Sequence, residues 1–273
     1  MARVVALLTD FGWDSVYVGV MKGVILSIAP DAVVVDITHG VSKFDVNEGA
    51  FLLYASYRYF PQGTVFVGVV DPGVGSRRRA VAIRTRRYFF VGPDNGLLLP
   101  AAREDGIELV VELRNENFFL RPVSATFHGR DIFSPSAAWI VRGVPLELLG
   151  PRLDPSALVE PGLRMGYGRR GDAVELGVVY VDGFGNVVLG ARFGDVAAAL
   201  GVSLGARVSV DPGCSGRPGA VAVVARKFSD VEPGRLILYE DSFGMAELAV
   251  NRGSAADLLG VSRGSTLCLR RLG

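Results

Sequence analysis

The sequence predicts an α/β N-terminal domain with a central, largely parallel sheet, followed by a smaller C-terminal domain of the β-barrel or sandwich type. In the first seventy residues, Val-rich runs of strand length alternate with segments whose apolar residues recur at helical spacing, as in right-handed β–α–β units. From residue 150 to 168 the composition shifts to Pro, Gly and Arg, and beyond it short apolar runs alternate with turns. We therefore expect an α/β domain over residues 1–150, a linker over 151–168 and a β-rich domain over 169–273.

The elements of the N-terminal domain are predicted from apolar periodicity and from residues that begin or end helices. A buried parallel strand is an unbroken apolar run, whereas a helix repeats apolar residues three and four apart. Asp45, with Glu48 three residues later, predicts a capping box, and Ser134 followed by Pro135 predicts a second helix start. The predicted elements are strand 4–8, helix 17–28, strand 33–37, helix 46–59, a strand from 64, strands 81–83, 88–91, 107–113 and 117–120, and helix 135–142.

The C-terminal domain is predicted from short apolar runs with turn residues between them. Two brief segments, 197–200 and 254–259, have helical character. The predicted strands are 174–181, 187–189, 207–210, 220–225, 236–239, 245–250 and 266–269.

Composition excludes several classes of protein. Hydrophobic residues make up 49% of the 273 residues and charged residues 21%, which is typical of globular chains and unlike disordered ones. The net charge of +1 lacks the basic footprint of a nucleic-acid-binding protein. Cys214 and Cys268 are too few for a disulfide framework or a zinc cluster. No apolar run reaches membrane-spanning length and residues 1–8 fit a first strand better than a signal peptide, so we expect a cytoplasmic protein with no membrane partner.

The stretch from residue 65 to 79 is the strongest candidate for a site loop. An apolar strand ends there at Asp71, and two glycines and three consecutive arginines follow. Ligands of α/β sheets bind beyond the carboxyl ends of parallel strands, and Asp10 and Asp36 stand at similar positions on other predicted strands. Taken alone, the stretch is equally consistent with an ordinary turn followed by solvated arginines.

Metal and phosphate sites are the first alternatives for these polar residues. Asp and His bind divalent cations, but no pair has a spacing such as His-x-x-x-His, and the arginines near Asp71 would repel a cation. Residues 73–76 lack the Lys and Ser/Thr that end a P-loop. What is left is Asp71, an arginine and His128. A guanidinium keeps a neighbouring carboxylate ionised, so this set is suited to orienting a water molecule.

A glycine-rich loop of the C-terminal half, residues 182–186, offers a carboxylate, an aromatic ring and an amide. Stacking on Phe184 with edge hydrogen bonds from Asn186 is a common way to hold a purine. The competing interpretation is a plain hairpin with Phe184 in the core.

Taken together, these loops resemble the S-adenosylmethionine hydroxide adenosyltransferase (SAM hydrolase) family, whose relatives are the fluorinase and chlorinase. The resemblance covers nearly the whole chain. It rests on the motifs Thr9-Asp10-Phe11-Gly12, Val35-Asp36-Ile37-Thr38-His39, Asp71-Pro72-Gly73-Val74-Gly75, Pro93-Asp94-Asn95-Gly96, Phe127-His128-Gly129-Arg130-Asp131 and Asp182-Gly183-Phe184-Gly185-Asn186.

The resemblance implies attack of water or hydroxide on the ribose C5′ of S-adenosylmethionine (SAM), giving adenosine and methionine without a cofactor or a metal. It also implies a homotrimer whose substrate lies between subunits. The family's catalytic Asp, Arg and His match Asp71, Arg78 and His128, where Arg78 is chosen by spacing between two other arginines.

Six further residues match positions of the family that hold the substrate. Asp10 and Phe44 match the ribose contacts, and Phe184 and Asn186 match the adenine contacts. Asp182 matches the carboxylate that binds the methionine ammonium.

The sixth match and two departures bear on specificity. Ser242 matches a contact to the methionine carboxylate, but the fluorinase arginine that follows it is Phe243 here, so the resemblance does not say how that carboxylate is held. His128-Gly129 stands where the fluorinase has a tyrosine and a halide-binding serine, and the fluorinase's extra loop is missing. Both departures favour a member that uses water. A nucleoside-binding protein without turnover, or a metal-dependent phosphohydrolase using Asp10, Asp36 and Asp71, would be the alternative.

Overall fold

The computed structural model describes residues 3–217 and 219–273. It divides into two compact units, of which the N-terminal one ends at Gly162 and the C-terminal one begins at Leu163. The segment expected to be a linker, 151–168, contains two short strands. One of them belongs to the sheet of the N-terminal unit and the other to the sheet of the C-terminal unit.

The N-terminal unit is built on one seven-stranded sheet. Its strands are β1 (Val4–Thr9), β2 (Val33–Thr38), β3 (Val65–Val69), β4 (Ala80–Thr85), β5 (Phe89–Pro93), β6 (Ile107–Glu112) and β7 (Arg152–Leu153). They lie in the order β2-β1-β3-β5-β4-β6-β7, and the first four of that order run parallel. The strands β4, β6 and β7 complete the sheet with antiparallel pairings. The α/β class is therefore confirmed, and the parallel half of the sheet holds β1 and β3 side by side.

Four α-helices accompany this sheet in the described residues. They are α1 (Val16–Ile28), α2 (Val46–Ser56), α3 (Leu99–Asp105) and α4 (Ser134–Val141). Asp45 caps α2 as predicted, because its side chain accepts a hydrogen bond from the backbone N–H of Glu48 at 2.8 Å. Met21 and Ile25 of α1 are fully buried in the same core as Phe133, which lies just before α4. Burial of such apolar side chains is the main stabilising contribution to this unit.

Two local predictions for this unit were wrong. Residues 117–120 do not form a strand, because Asn115 caps a short 3-10 helix, Glu116–Phe118, through the N–H of Asn117. Ser134 is the first residue of α4 and not a cap outside the helix, because one turn of π-helix, Gly129–Phe133, leads into α4 without a break. Helix α3 was not predicted, since its seven residues are too few to show a helical period.

The C-terminal unit is a closed β-barrel. Its strands are β8 (Tyr167–Arg170), β9 (Ala173–Val181), β10 (Val187–Arg192), β11 (Arg207–Pro212), β12 (Ala220–Val224), β13 (Leu236–Glu240), β14 (Met245–Val250) and β15 (Thr266–Arg271). The order β10-β14-β13-β12-β11-β15-β9 closes on itself through the pairing of β10 with β9, and β8 is added outside β9. The predicted β-barrel class is thus confirmed.

The described residues of the C-terminal unit contain one 3-10 turn and two short α-helices, α5 (Phe193–Leu200) and α6 (Ala255–Leu259). Each ends at a glycine in the left-handed conformation, Gly201 and Gly260 respectively. Across the described part of the chain, every helix falls short of the length and apolar character needed to cross a membrane.

A disulfide joins Cys214 to Cys268, two cysteines that were not predicted from the sequence to pair. Antiparallel pairing of β11 with β15 sets Asp211 opposite Cys268 and brings Cys214, three residues after Asp211, to a Cα–Cα distance of 5.0 Å. A separation of 54 residues along the chain gives no hint of this contact. The bond ties the last strand of the barrel to the turn after β11.

Loss of this disulfide is expected to destabilise the C-terminal unit. In the chain-entropy account, closing a loop of this length stabilises the folded state by about 4 kcal/mol. Reduction should therefore lower the urea midpoint of unfolding, measured by circular dichroism with and without reductant. The double variant Cys214→Ala/Cys268→Ala is the matched control and should not respond to reductant. An unchanged midpoint on reduction of the wild-type chain would contradict the expectation.

Candidate active site

The ends of β1 and β3 bring Asp10 and Asp71 to one edge of the sheet. These strands are parallel neighbours in which Thr9 pairs with Val69, so the chain leaves the sheet at the same edge in both cases. Asp10, Asp71, Phe44 and His128 line one cavity of about 340 Å³ in the N-terminal unit. Its other lining residues are Phe11, Ser15, Tyr17, Lys43, Val69, Val74, Thr126, Phe127 and Gly129.

Arg78 links the two candidate catalytic residues of this cavity. Its Nε donates to both carboxylate oxygens of Asp71, at 2.9 and 3.0 Å, and its Nη2 donates to Oδ2. The same Nη2 lies 2.8 Å from Nδ1 of His128. The guanidinium also lies over the ring of the buried Phe133, with 5.2 Å between Cζ and the ring centroid. Asp71, Arg78 and His128 thus form one continuous hydrogen-bonded chain.

The hydrogen bond from Arg78 determines which nitrogen of His128 carries the proton. A guanidinium has donors and no acceptor, so Nδ1 of His128 must accept and a neutral ring carries its hydrogen on Nε2. Burial lowers the pKa of His128 below its ordinary value, and the positive charge of Arg78 lowers it further, against the opposing charges of Asp71 and Asp131. At neutral pH the ring therefore offers an N–H donor at Nε2 and no free lone pair.

The other two arginines of the run lie elsewhere. Arg77 is exposed. Arg79 donates through Nε to the buried Asp94 at 2.8 Å and through Nη2 to the carbonyl oxygen of Ala157. Arg78 is therefore the member of the run that contacts both Asp71 and His128.

Two features fix the loops that carry this chain of residues. Gly75 has a φ of 76°, and a Cβ built on it would lie 2.4 Å from the carbonyl oxygen of Ala125. No side chain fits there, so the Asp71 loop packs directly on the segment that precedes His128. On the other side of His128, the fully buried Asp131 accepts from Nε of Arg130 at 2.6 Å and from the N–H of Ser124 at 2.8 Å.

Asp10 also holds the backbone of Phe44. Its Oδ2 accepts a hydrogen bond from the N–H of Phe44 at 2.8 Å. Phe44 has a φ of 67°, a left-handed conformation that is strained for a residue with a side chain and is commonest at functional sites. Its ring is exposed at the cavity. The carboxylate at the end of β1 thus sets the position of an aromatic ring from a different loop.

Asp36 and His39 belong to a buried network beside the cavity. His39 is 1% exposed, with Nδ1 at 2.9 Å from Thr9 Oγ1 and Nε2 at 3.0 Å from Asp36 Oδ1. Lys22 donates to Asp36 Oδ2 at 2.6 Å. Burial alone would raise the pKa of Asp36, but the hydrogen bond from Lys22 and the 3.0 Å contact with His39 outweigh it and lower the pKa. Both carboxylate oxygens of Asp36 are therefore engaged away from Asp10 and Asp71.

The distribution of carboxylates and histidines bears on the alternative of a metal site. Over residues 3–217 and 219–273, the one group with metal-ligand spacing is Glu175, Cys214 and Cys268. Its cysteines are bonded to each other, and Glu175 pairs with Arg164 and Arg170 at 3.0 Å each. Asp10, Asp36 and Asp71, the carboxylates expected for a phosphohydrolase, do not form such a group among the described residues.

A second cavity, of about 770 Å³, lies in the C-terminal unit. It gathers the remaining candidates, namely Asp182, Phe184, Asn186 and Ser242. Its other lining residues are Phe228, Tyr239, Asp241, Phe243, Glu247, Val250, Asn251, Arg252 and Gly253. The structure therefore sorts the nine candidate residues into two sets, one in each unit.

The loop after β9 is organised by the carboxylate of Asp182. Its Oδ1 accepts from the N–H groups of Phe184 and Asn186, both at 2.9 Å, and its Oδ2 accepts from the side-chain amide of Asn186 at 2.9 Å. Gly185, with a φ of 81°, packs so closely on Ser254 that a Cβ would lie 2.2 Å from its Oγ. Phe184 is 82% exposed, so the interpretation of this ring as part of the core is wrong.

Two acids of this cavity, Asp241 and Glu247, were not predicted as site residues from the sequence. Both are almost fully buried, and Tyr239 donates its hydroxyl hydrogen to Glu247 Oε1. The signal for Glu247 is a single carboxylate inside the apolar run of β14, Met-Ala-Glu-Leu-Ala-Val, every residue of which is buried. Charged residues are almost never fully buried unless they have a specific partner or role.

Comparison with known proteins identifies the family. Residues 5–150 match the SAM hydroxide adenosyltransferase N-terminal domain, and residues 176–268 match the C-terminal domain of the same family. The chain belongs to the SAM hydroxide adenosyltransferase family. The two matched regions hold all nine candidate residues.

Individual relatives agree with this family assignment. The chain is 42% identical over 264 residues to a protein of Salinispora arenicola named (R)-S-adenosyl-L-methionine hydrolase, covering 96% of each chain. It is 30% identical to a fluorinase of Nocardia brasiliensis over 57% of this chain and 60% of the other. Among solved structures, an uncharacterised conserved protein from Thermotoga maritima matches with a TM-score of 0.90 and 40% identity, covering 98% of this chain and 100% of that one.

The position of Arg78 predicts the titration of His128. In the wild-type chain, the pKa of His128 should lie below its usual value of about 6.5, and Arg78→Leu should raise it because a nearby positive charge is lost while Asp71 remains. The pKa is measured from the imidazole NMR signals over pH 4–9, assigned with a His128→Asn variant. Arg77→Leu is the control for a change of net charge and should leave the pKa where it is. A lower pKa in Arg78→Leu would refute the assignment.

Proposed function

We propose that this protein hydrolyses S-adenosyl-L-methionine to adenosine and L-methionine, with Asp71, Arg78 and His128 orienting the attacking water. The observation that carries the proposal is the hydrogen-bonded chain of these three residues at the cavity that also holds Asp10. It is supported by the 42% identity, over 96% of both chains, to a relative named for this activity. That name specifies the R form at sulfur, so both sulfonium epimers are substrates to assay.

The reaction forms a bond from the water oxygen to the ribose C5′ and breaks the bond from C5′ to sulfur. The electron pair of the broken bond stays on sulfur, which leaves as a neutral thioether and needs no proton. The water loses one proton, for which the Asp71 carboxylate is the acceptor within the chain of three residues. Nε2–H of His128 donates to the water oxygen and so fixes its lone pair toward C5′. Alignment of this kind contributes about 7–11 kcal/mol to lowering a barrier.

Arg78 has a positioning role in this scheme. Three hydrogen bonds to Asp71 hold the carboxylate in one orientation, and the bond to Nδ1 holds the His128 ring in the Nε2–H form. A bidentate guanidinium–carboxylate pair fixes the orientation of the carboxylate through both its hydrogen-bond geometry and its charge. The carboxylate held in this way accepts a hydrogen bond from the water and takes up its proton as the bond to C5′ forms.

The remaining candidates are proposed to bind the substrate, as the family resemblance implies. Asp10 would accept from the ribose hydroxyls with the oxygen that does not hold Phe44, and the Phe44 ring would pack on the sugar. In the C-terminal unit, Phe184 and Asn186 would hold adenine, Asp182 the methionine ammonium and Ser242 the carboxylate.

Self-association is the second part of the proposal. The resemblance implies a homotrimer in which the two sets of residues come from different copies of the chain. The rings of Phe44 and Phe184 are 69% and 82% exposed, and apolar surface of this kind is favourable to cover. Sedimentation equilibrium should give a mass of three chains. A monomer at micromolar concentration would overturn this part alone.

Replacement of Asp71 tests the catalytic part of the proposal. Asp71→Ala should lower kcat by about 10²–10³-fold, the usual effect of losing one positioned polar group in an active site, while the affinity for adenosine is retained. Formation of adenosine and methionine is followed by chromatography with chelator present, and affinity is measured by calorimetry. Arg77→Ala is the matched control in the same loop and should keep wild-type turnover.

Two outcomes would contradict the proposal. Tight adenosine binding with no product over hours would indicate a binding protein without turnover. Activity that appears only on addition of Mg²⁺ or Mn²⁺ would indicate the phosphohydrolase alternative.

A further inference from the structure

Three carboxylates face the cavity of the C-terminal unit within one small region. Asp182 belongs to the loop after β9, Asp241 to the turn between β13 and β14, and Glu247 to β14 itself. Asp241 is 9% exposed and Glu247 is 6% exposed. Two buried acids beside a third are costly to keep charged unless a cation or a proton compensates.

The carboxylate of Asp241 is only half satisfied. Its Oδ1 accepts from the N–H groups of Phe243 and Met245, at 2.8 and 2.7 Å. Its Oδ2 is buried and has no donor among the described residues when Glu247 is ionised, whereas a proton on Glu247 can be shared with Asp241. A buried carboxylate oxygen without a donor is costly, so its presence in a cavity points to a donor that arrives with a ligand.

Glu247 has a partner, but one that does not neutralise it. Tyr239, opposite it on β13, donates its hydroxyl hydrogen to Oε1. Burial raises the pKa of Glu247 to about 7 against the lowering effect of this hydrogen bond, and the charges of Asp241 and Asp182 raise it further. Burial also raises the pKa of Asp241, against the backbone hydrogen bonds from Met245 and Phe243.

We propose that Asp241 and Glu247 join Asp182 in binding a primary ammonium group of the ligand, and that in the free protein a proton held by Glu247 takes the place of that charge. This inference rests on the proposed function, in which the ligand carries the ammonium of a methionine moiety. It adds two residues to the one that the family resemblance assigns to this group.

The chemistry of the set fits an ammonium better than other cations. A primary ammonium has three N–H donors, and three carboxylates supply three acceptors. Within the described residues, the metal-type grouping of ligand atoms occurs at Cys214, Cys268 and Glu175 and not here. Charge-assisted N–H···O bonds of about 2.7–2.9 Å at tetrahedral angles place the accepting oxygens about 4.4–4.7 Å apart, so the three carboxylates must draw closer together to share one ammonium.

The neighbouring charges give the direction of the pH dependence. Glu247 faces Tyr239 on β13, Asp241 in the following turn and Asp182 from the loop after β9. Arg192 on β10 and the exposed Glu240 act on Asp241 with opposite signs, and Arg252 also lines the cavity. An entering ammonium favours ionised Glu247, so binding releases its proton below about pH 7 and involves no release once Glu247 is ionised. Affinity for an ammonium-bearing ligand should therefore rise with pH through neutrality.

Two stable probes separate the ammonium from the rest of the ligand. S-adenosyl-L-homocysteine carries the ammonium and has no sulfonium to hydrolyse, whereas 5′-methylthioadenosine lacks the amino-acid part. By calorimetry, S-adenosyl-L-homocysteine should bind about tenfold more weakly at pH 6 than at pH 8, since a group with a pKa near 7 is about one-tenth ionised at pH 6. 5′-Methylthioadenosine should show no change. Paired buffers of different ionisation enthalpy should report proton release for the first probe alone.

Glu247→Gln tests the residue directly. The amide oxygen can still accept from Tyr239, so the fold is preserved while the titrating group is lost. This variant should bind S-adenosyl-L-homocysteine with an affinity that no longer depends on pH, and should bind 5′-methylthioadenosine as the wild type does. Glu232→Gln is the matched control, an exposed acid ahead of β13 that does not line the cavity, and should keep the wild-type pH profile.

The outcomes distinguish this inference from the proposed function. Equal pH dependence for the two probes, or an unchanged pH profile in Glu247→Gln, would overturn the inference and leave the proposed hydrolysis standing. Failure of the wild-type chain to bind either probe would overturn both. The proton-release measurement needs no variant, so it decides the question even if Glu247→Gln does not fold.

Discussion

The candidate active site depends on the hydrogen bonds that the guanidinium of Arg78 makes. It makes bonds to a carboxylate and an imidazole at once, and each bond constrains what its partner can do. Asp71 is held in one orientation, and His128 is held neutral with its hydrogen on the nitrogen away from Arg78. A lysine could supply the charge but not the planar fork that meets two partners in one plane. The cation–π contact with Phe133 then fixes the guanidinium from behind.

The sheet makes this arrangement possible, because parallel neighbours β1 and β3 end at the same edge. The close approach of Gly75 to the carbonyl of Ala125 adds the His128 segment to that edge. In the barrel of the C-terminal unit, the candidate residues are positioned in a different way. There, the carboxylate of Asp182 accepts backbone N–H groups of its own loop, which leaves Phe184 presented to solvent.

The sequence was sufficient for the fold because the apolar runs of both units are long enough to show their period. The sequence also allowed each polar candidate residue to be assigned to a strand end or to a loop. It could not separate Arg77, Arg78 and Arg79 by chemistry, since their roles differ only through the positions of Asp71 and Asp94. The resemblance made that choice by spacing, and the geometry brings the same arginine to Asp71.

What the sequence could not provide depends on contacts between distant segments. Pairing of β11 with β15 creates the disulfide, and pairing of β13 with β14 sets Tyr239 opposite Glu247. The sequence predicts Ser134 as an N-cap because the π-helical turn that precedes it, Gly129–Phe133, leaves no signal in local capping propensity. In the first two cases a local rule was overridden by a tertiary contact.

The left-handed backbone of Phe44 has a consequence for how substitutions of Asp10 should be interpreted. Because one carboxylate oxygen anchors that strained N–H, its removal frees the loop as well as deleting the proposed contact to the ribose. A kinetic defect in such a variant would combine the two effects. A glycine at position 44, which adopts the conformation without strain, is the background in which they could be told apart.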